Sequence, residues 1–287
     1  MAGRASAPPT IWADPTFAAG YDRTFGQQLA PVVAQLLLQL ALPQPGEQTL
    51  ECACGTGALT LPLARALGND RYLLATDRSP AMLALATGKA AALDGAAIGF
   101  LLQDMQALGM APSQFQLAIA NLGLQVVDNR VRALCELRRI LRPSGRLAFS
   151  VPGDWSLEPF WTYFWRRVAQ PDAAPALQSA PRRWTAADVA ASLLGDQTEW
   201  RSQIEAAGFV YVTLSVERAV AWFPSARDFL ATGAFGHIGR ARGLIGDEQV
   251  RDRVFADVTE RLDQRRTPQG VPIDVTVLCP VAYAPAG

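Results

Sequence analysis

"TLECACGTGALTLPLA", residues 49–64, sets an acid and two cysteines in an apolar run and closes the run with a Gly-Thr-Gly turn. A short apolar run ending at a glycine turn suits a buried strand. The following "ALTLPLARALG" has helical spacing and a glycine after its last turn. Strand, bare turn and helix therefore follow one another here. Zinc would need about four Cys or His ligands. The chain has one histidine, His237, and its other cysteines, Cys135 and Cys279, stand apart, so no metal is expected. Cys52 reads as a small buried side chain. Alternation along the strand puts Cys54 on the same face, opposite Glu51 and Ala53, where it is a candidate to line a ligand. A phosphate-cradling Walker loop needs a lysine that does not follow Gly57. The dinucleotide fingerprint, aligned on Gly55, Gly57 and Thr60, lacks its third glycine. What remains is an acid, Glu51, then Ala53, Gly55 and Gly57 at alternate positions of a strand-to-helix turn.

Outward from this stretch, strands and helices alternate. Apolar positions recur at helical spacing over residues 26–42, and "PQPGEQ" stops that helix. "RYLLATD" is a second strand ending at Asp77, and "SPAMLALATGKAAAL" a helix with Pro80 near its start, where a missing N–H is tolerated. "AIGFLLQD" and "FQLAIANLG" are further strands; "NRVRALCELRRIL" is a helix stopped by "RPSG", and "RLAFSVPG" is a fifth strand. Such alternation predicts a mainly parallel sheet covered by helices on both faces. Beyond residue 153 the expectation is an aromatic helix in "EPFWTYFWRRVAQ", helices in "TAADVAASL" and "EWRSQIEAAGF", a strand in "VYVTLSVERAV", a helical zone over 225–265 and a last strand in "IDVTVLCPVAYA". The Ala- and Pro-rich stretch 169–183 separates two zones.

Composition narrows the partners. Of 287 residues half are hydrophobic, and 26 basic side chains balance 26 acidic ones, which leaves no electrostatic footprint for nucleic acid or an anionic membrane. Four cysteines do not make a disulfide framework, and a Cys-x-Cys pair bridges poorly. The start lacks the pattern of a signal peptide. "LAPVVAQLLLQLAL" falls short of the roughly 20 apolar residues a membrane span needs. The expected setting is reducing and cytoplasmic; nothing in the sequence sets an oligomeric state.

Residues 49–64 resemble the first motif of class I S-adenosylmethionine-dependent methyltransferases, hydrophobic-Asp/Glu-x-Gly/Ala-x-Gly-x-Gly, with Ala53 where glycine is commoner. The resemblance continues in chain order through "RYLLATD", "LLQDM", "FQLAIANLGLQVVDN" and "LRRILRPSGRLAFSVPG", with Ser144 where glycine is commoner, and with "FAAGYDRTFG" before the first helix it is similar to the ubiquinone/menaquinone branch that methylates small molecules. It implies a Rossmann-like α/β fold with a seven-stranded, mainly parallel sheet whose last strand is antiparallel. It also implies an N-terminal helical lid over residues 1–45, a cofactor-binding core over 46–153, and a segment 154–287 that supplies a helical substrate insertion and the closing strands. The implied cofactor is S-adenosylmethionine, leaving as S-adenosylhomocysteine. The implied cofactor residues are Tyr21, Glu51, Ala53, Cys54, Gly55, Thr56, Gly57, Asp77, Arg78, Met82, Asp104, Met105, Asn121 and Leu122. Asp77 would accept the ribose hydroxyls, Asp104 the adenine amino group, and Asn121 with Leu122 would flank the methionine tail.

Methyl transfer is an in-line displacement that asks the protein for alignment and exclusion of water, with a base only if the acceptor must lose a proton. His237, whose ordinary pKa is near neutral, and Gln125, just beyond the fourth strand, are the catalytic candidates. Phe25 and the aromatic residues Trp155, Trp161, Trp165 and Trp184 are candidates to receive a hydrophobic or aromatic acceptor. Two other readings stay open: a cyclase or non-catalytic partner on the same scaffold, and a nicotinamide oxidoreductase, which Thr60 and the later motifs disfavour.

Overall fold

In the computed structural model, residues 10–68, 72–91, 98–153, 157–173, 197–232 and 237–287 are described. Short helices α1 (Thr10–Ala13) and α2 (Pro15–Tyr21) lead through a π-helical turn, Asp22–Gly26, to α3 (Ala30–Ala41). There follow β1 (Gln48–Cys52), α4 (Thr60–Leu67), β2 (Tyr72–Asp77), α5 (Pro80–Ala90), β3 (Ile98–Leu102), β4 (Phe115–Asn121), α6 (Arg130–Ile140) and β5 (Leu141–Pro152). After α7 (Phe160–Val168) come α8 (Gln197–Ala206), β6 (Val210–Phe223), α9 (Ala226–Ala231), α10 (His237–Gly243), α11 (Glu248–Asp263) and β7 (Val271–Tyr283). Among the described residues no helix is long and apolar enough to cross a membrane.

The seven strands form one sheet in the order β3-β2-β1-β4-β5-β7-β6. β1 lies between β2 and β4, parallel to both, and the pairings β2–β3 and β4–β5 are parallel as well. β7 runs the other way: Ser144 N–H donates to Pro285 O at 3.3 Å and Gly153 N–H to Thr276 O at 2.8 Å, so partner numbers fall as the chain advances. The Rossmann-like sheet with an antiparallel last strand is the expected one.

Two compact units are present: Met1–Pro152 with Asp196–Glu217 and Leu278–Gly287, and Gly153–Gly195 with Arg218–Val277. In the first, Ala34, Leu37 and Ala41 of α3 and Leu63, Ala64 and Leu67 of α4 bury against Leu117, Ile119 and Ala148 of the sheet. Leu134, Leu137 and Ile140 of α6, with Trp200 and Ile204 of α8, bury with Leu50 and Phe149 in another cluster. Each fully buried leucine contributes about 2 kcal/mol of hydrophobic stabilisation. Arg146 ties β5 to the end of α3: Nε and Nη2 donate to Ala41 O and Leu42 O at 2.7 and 2.9 Å, satisfying orphan carbonyls, and both Nη atoms meet Glu47 at 2.7 Å. In the second unit Phe160, Trp161 and Phe164 of α7 are buried, with rings of Phe229 and Phe255 at 5.9 Å from that of Phe160 or Phe164. The buried Arg167 meets Asp172 bidentately at 3.0 and 2.8 Å and also bonds Asp257.

The local structure departs from two expectations. "RPSG" is not a turn ahead of the fifth strand; it lies inside β5, which starts at Leu141 directly after α6. The register against β4 shifts between Phe115 and Leu117, and Ser144 takes φ 59°, so the four residues form an irregular strand entry. Cys52 and Cys54 do not share a face. β1 ends at Cys52, and Ala53 has φ 51°, which breaks the alternation. Cys52 joins Leu50 and Phe149, whereas Cys54 joins Ala75, Leu83 and Ala86.

Candidate functional site

The glycine turn is shaped by its backbone. Ala53, Gly55 and Gly57 have φ of 51°, 54° and 90°, so three residues in five adopt the left-handed region. That region costs a non-glycine residue about 1–2 kcal/mol, which explains the glycines and marks Ala53 as the strained member. A Cβ built on Gly55 meets nothing within 4 Å, so its backbone faces open space; one built on Gly57 would stand 3.5 Å from Ala86, where the turn rests on α5.

Asp77, at the end of β2, holds this turn. Its Oδ2 accepts from Gly55 N–H and its Oδ1 from Ser79 N–H, each at 2.8 Å. Ser79, not Asp77, caps α5, accepting from Met82 N–H at 3.1 Å. Burial pushes the Asp77 carboxyl above its ordinary range against the pull of the Ser79 and Gly55 N–H groups. Arg78 beside it is half-buried, and Met82 is buried.

Glu51 is 1% exposed, and neither carboxylate oxygen has a hydrogen-bond partner among the described residues; the buried Thr56 and Thr60 hydroxyls share that condition. Burial pushes Glu51 up to about 8; the Thr60 hydroxyl eases the shift and the Asp77 charge adds to it. Four buried oxygen atoms that meet no well-formed hydrogen bond among the described residues gather on β1, the turn and the first residue of α4, although the Thr60 hydroxyl stands near enough to favour an ionised Glu51, and the Thr56 hydroxyl an ionised Asp22. Such a set calls for a ligand rich in donors, an ammonium or a hydroxyl, since unmet buried acceptors are costly.

The other predicted residues lie in the first unit near the ends of β3 and β4. Asp104 is buried and its Oδ1 accepts from Gln106 N–H at 2.8 Å; Met105 beside it is buried. Asn121 spends its amide within the protein: Nδ2 donates to Ala30 O at 3.1 Å and Oδ1 accepts from Ser150 Oγ at 2.8 Å. Its side chain is thereby turned to structure, leaving backbone for any ligand. Leu122 has φ 53° and donates to both Ser150 O and Ser150 Oγ, at 3.1 and 3.0 Å. Gln125 Nε2 donates to Leu122 O at 2.7 Å, while its Oε1 is buried without a partner among the described residues.

From the N-terminal side, Tyr21 lies where the charges of Asp77 and Asp22 act on it; burial first, and these charges next, push its hydroxyl far above the ordinary range. Phe25 packs on Tyr21 with ring centroids 5.1 Å apart, and Trp12 on Tyr21 at 6.0 Å. Trp161 belongs to the buried aromatic core of the second unit, and Trp165 stacks on it at 6.3 Å with its Nε1 buried and without a hydrogen-bond partner among the described residues. The aromatic helix expected in this stretch thus delivers mainly packing, with Phe160, Trp161 and Phe164 buried. His237 opens α10 in the second unit, and its side chain is outside the described residues. Trp155, Trp184 and the helix expected over "TAADVAASL" lie outside them too. No group of three or more metal-ligating side chains gathers among the described residues.

Gly123, Ser150, Gly26 and Lys89 were not singled out from the sequence. Gly123 is required because a Cβ there would stand 2.6 Å from Ala53 Cβ. These four act through contacts distant in sequence and carry no local signal.

Residues 49–145 match the family model described as a methyltransferase domain. A malonyl-[acyl-carrier protein] O-methyltransferase of Alcanivorax borkumensis is 29% identical over 265 residues, 91% of this chain and 81% of that protein. Nocamycin O-methyltransferase of Saccharothrix syringae is 27% identical over 270 residues, 92% of each chain. The structure of Haemonchus contortus phosphoethanolamine N-methyltransferase 2 in complex with S-adenosyl-L-methionine superposes with TM-score 0.57 at 14% identity, over 95% of this chain and 57% of that one, a likeness of fold. The bare glycine turn and the strand-end acid gripping it thus lie in a segment, residues 49–145, that matches a methyltransferase domain, in keeping with S-adenosylmethionine-dependent methyl transfer.

Proposed function

We propose that the chain methylates an oxygen atom of a small molecule, and that the residues from Tyr21 to Leu122 named above hold the methyl donor. One observation carries the reading of the site: the acceptor-rich floor of Glu51, Thr56 and Thr60 beside a turn that Asp77 holds open at Gly55. When bound, S-adenosylmethionine supplies a methyl carbon activated by its positive sulfur. Glu51 receives the donor's ammonium, directly or through water, and Asp77 accepts hydroxyls of the ribose with the lone pairs its two N–H bonds leave free. Asp104 and Met105 border the adenine, and Tyr21 with Phe25 covers the cofactor. Gln125 Oε1, without a partner among the described residues, orients an acceptor hydroxyl, its amide being fixed by the bond to Leu122 O. His237 takes the proton where the acceptor must lose one. Because the bound donor would bring its own activated carbon, alignment and dryness would be the protein's main contribution.

Oxygen is chosen because the two relatives matching over nine-tenths of the chain are O-methyltransferases by name. The same reading assigns residues 1–45 to a lid, 46–153 to the cofactor core, and 154–287 to acceptor recognition with Trp155, Trp161, Trp165 and Trp184. It also sets the enzyme in the cytoplasm, without a nucleic acid partner. The test is incubation with methyl-labelled donor and a panel of small carboxylic acids, phenols and enols, with detection of S-adenosylhomocysteine and of the labelled product. Methyl esters or ethers are expected. Labelling confined to nitrogen or carbon, or thermal stabilisation by NAD and not by the donor, would overturn it.

A further inference from the structure

Lys89, in the last turn of α5, joins three stretches of the first unit at one ammonium. Its Nζ is ion-paired and hydrogen-bonded to Asp22 Oδ1 in the π-helical turn, and donates to Thr56 O at 2.9 Å. Asp22 is buried, and its Oδ2 accepts from Gln27 Nε2 at 3.2 Å. Burial works to raise this carboxyl, but the Lys89 hydrogen bond, the Thr56 hydroxyl, the Lys89 charge and the Gln27 amide together outweigh it and hold it below the ordinary range. The approach is close: a Cβ on Gly26 would stand 2.8 Å from Thr56 Oγ1 and 2.9 Å from Asp22 Oδ1, so one of these side chains would have to shift to admit it. A π-helical turn is itself a rare geometry that recurs at functional sites.

Thr56 lies between Gly55 and Gly57. Asp77 grips the turn at Gly55 N–H, and Lys89 grips it one residue later at the Thr56 carbonyl, so the turn is pinned from two sides. The strap that Lys89 holds also carries Tyr21, on which the Asp77 charge acts. Two neutral bonds fasten the same strap, Ser79 Oγ to Trp12 O at 2.6 Å and Asn121 Nδ2 to Ala30 O at 3.1 Å. Lys89 supplies the charged tie, and its loss would leave a buried carboxylate uncompensated.

We propose that Lys89 is a positioning residue that fastens the N-terminal strap, residues 12–30, to the glycine turn, making strap closure and cofactor retention one coupled equilibrium. The inference rests on the cofactor reading above. Its test is calorimetric binding of S-adenosylhomocysteine, together with the rate of trypsin cleavage after the exposed Arg23 in the strap, for wild type, Lys89→Met, Asp22→Asn, the double variant and Lys89→Arg. Lys89→Met is expected to weaken binding about tenfold, within the usual range for coupled sites, and to speed cleavage after Arg23 even without ligand. The double variant is expected to bind no worse than the weaker single, and Lys89→Arg to restore part of the loss. If Lys89→Met does not fold, Asp22→Asn, which keeps shape and removes the charge, supplies the same two readouts. A folded Lys89→Met that binds and resists trypsin like wild type, or a double variant whose loss is the sum of the singles, overturns the proposal alone. A wild type that does not bind S-adenosylhomocysteine overturns the cofactor reading and this proposal with it.

Discussion

Ala53 and Gly123 fit as a pair: a Cβ on Gly123 would come within 2.6 Å of the Ala53 Cβ, and Ala53 itself sits at φ 51°. The alanine that replaces a commoner glycine in the turn is therefore accommodated by a missing side chain after β4. Gly123→Ala should destabilise by about 1–3 kcal/mol through overpacking. Adding Ala53→Gly should recover most of that loss. Urea denaturation of the two singles and the double checks it, and an additive double would break the pairing.

Asp77→Ala removes the acceptor for Gly55 N–H and Ser79 N–H and, on the proposed reading, for the ribose. Binding of S-adenosylhomocysteine should weaken by about 1.5–3 kcal/mol, the range for hydrogen bonds to a charged group. A folded variant with unchanged affinity, measured by calorimetry, would remove Asp77 from the site.

Glu51 gives a pH signature. Its carboxyl is raised from 4.5 to about 8, so between these values the folded apoprotein holds a proton that the unfolded chain has released. Its contribution is full below the lower value, falls as pH rises through the window and levels off above about 8. Glu51→Gln should flatten this part of the stability profile. Because a cationic ammonium favours the ionised carboxylate, cofactor binding near neutral pH should expel a proton, seen as a buffer-dependent heat that Glu51→Gln abolishes.

The cysteines should prove inert with one exception. Cys52 and Cys279 are buried with thiols pushed up to about 12, and Cys54 is likewise buried and raised, by desolvation first in each case. Cys135 is exposed. Iodoacetamide on the native protein should alkylate Cys135 well ahead of the other three by mass spectrometry, since the thiolate is the reactive form. Fast alkylation of Cys54 would mean that the turn opens.

The alternation of strands and helices was legible because each apolar run is punctuated by Gly, Pro or a polar cap, and Asp77 was legible as an acid ending a strand. The left-handed Ala53 was not, because propensity argues against it and only Gly123, seventy residues away, makes it tolerable. Lys89 carries no local signal of its role; its meaning comes from Asp22 and Thr56, which the fold brings to it. "RPSG" has turn chemistry, yet pairing with β4 draws it into a strand. The aromatic run of α7 announced apolar surface without saying whether a core or a ligand would cover it.

Leu122 N–H is shared between the carbonyl and the hydroxyl of Ser150, one residue past the end of β4. The β4–β5 seam is thus closed like a zipper whose slider sits at the rim of the candidate site. In hydrogen exchange this amide belongs kinetically with the sheet rather than with the loop that follows, and its exchange rate is a clock for how often that rim comes undone.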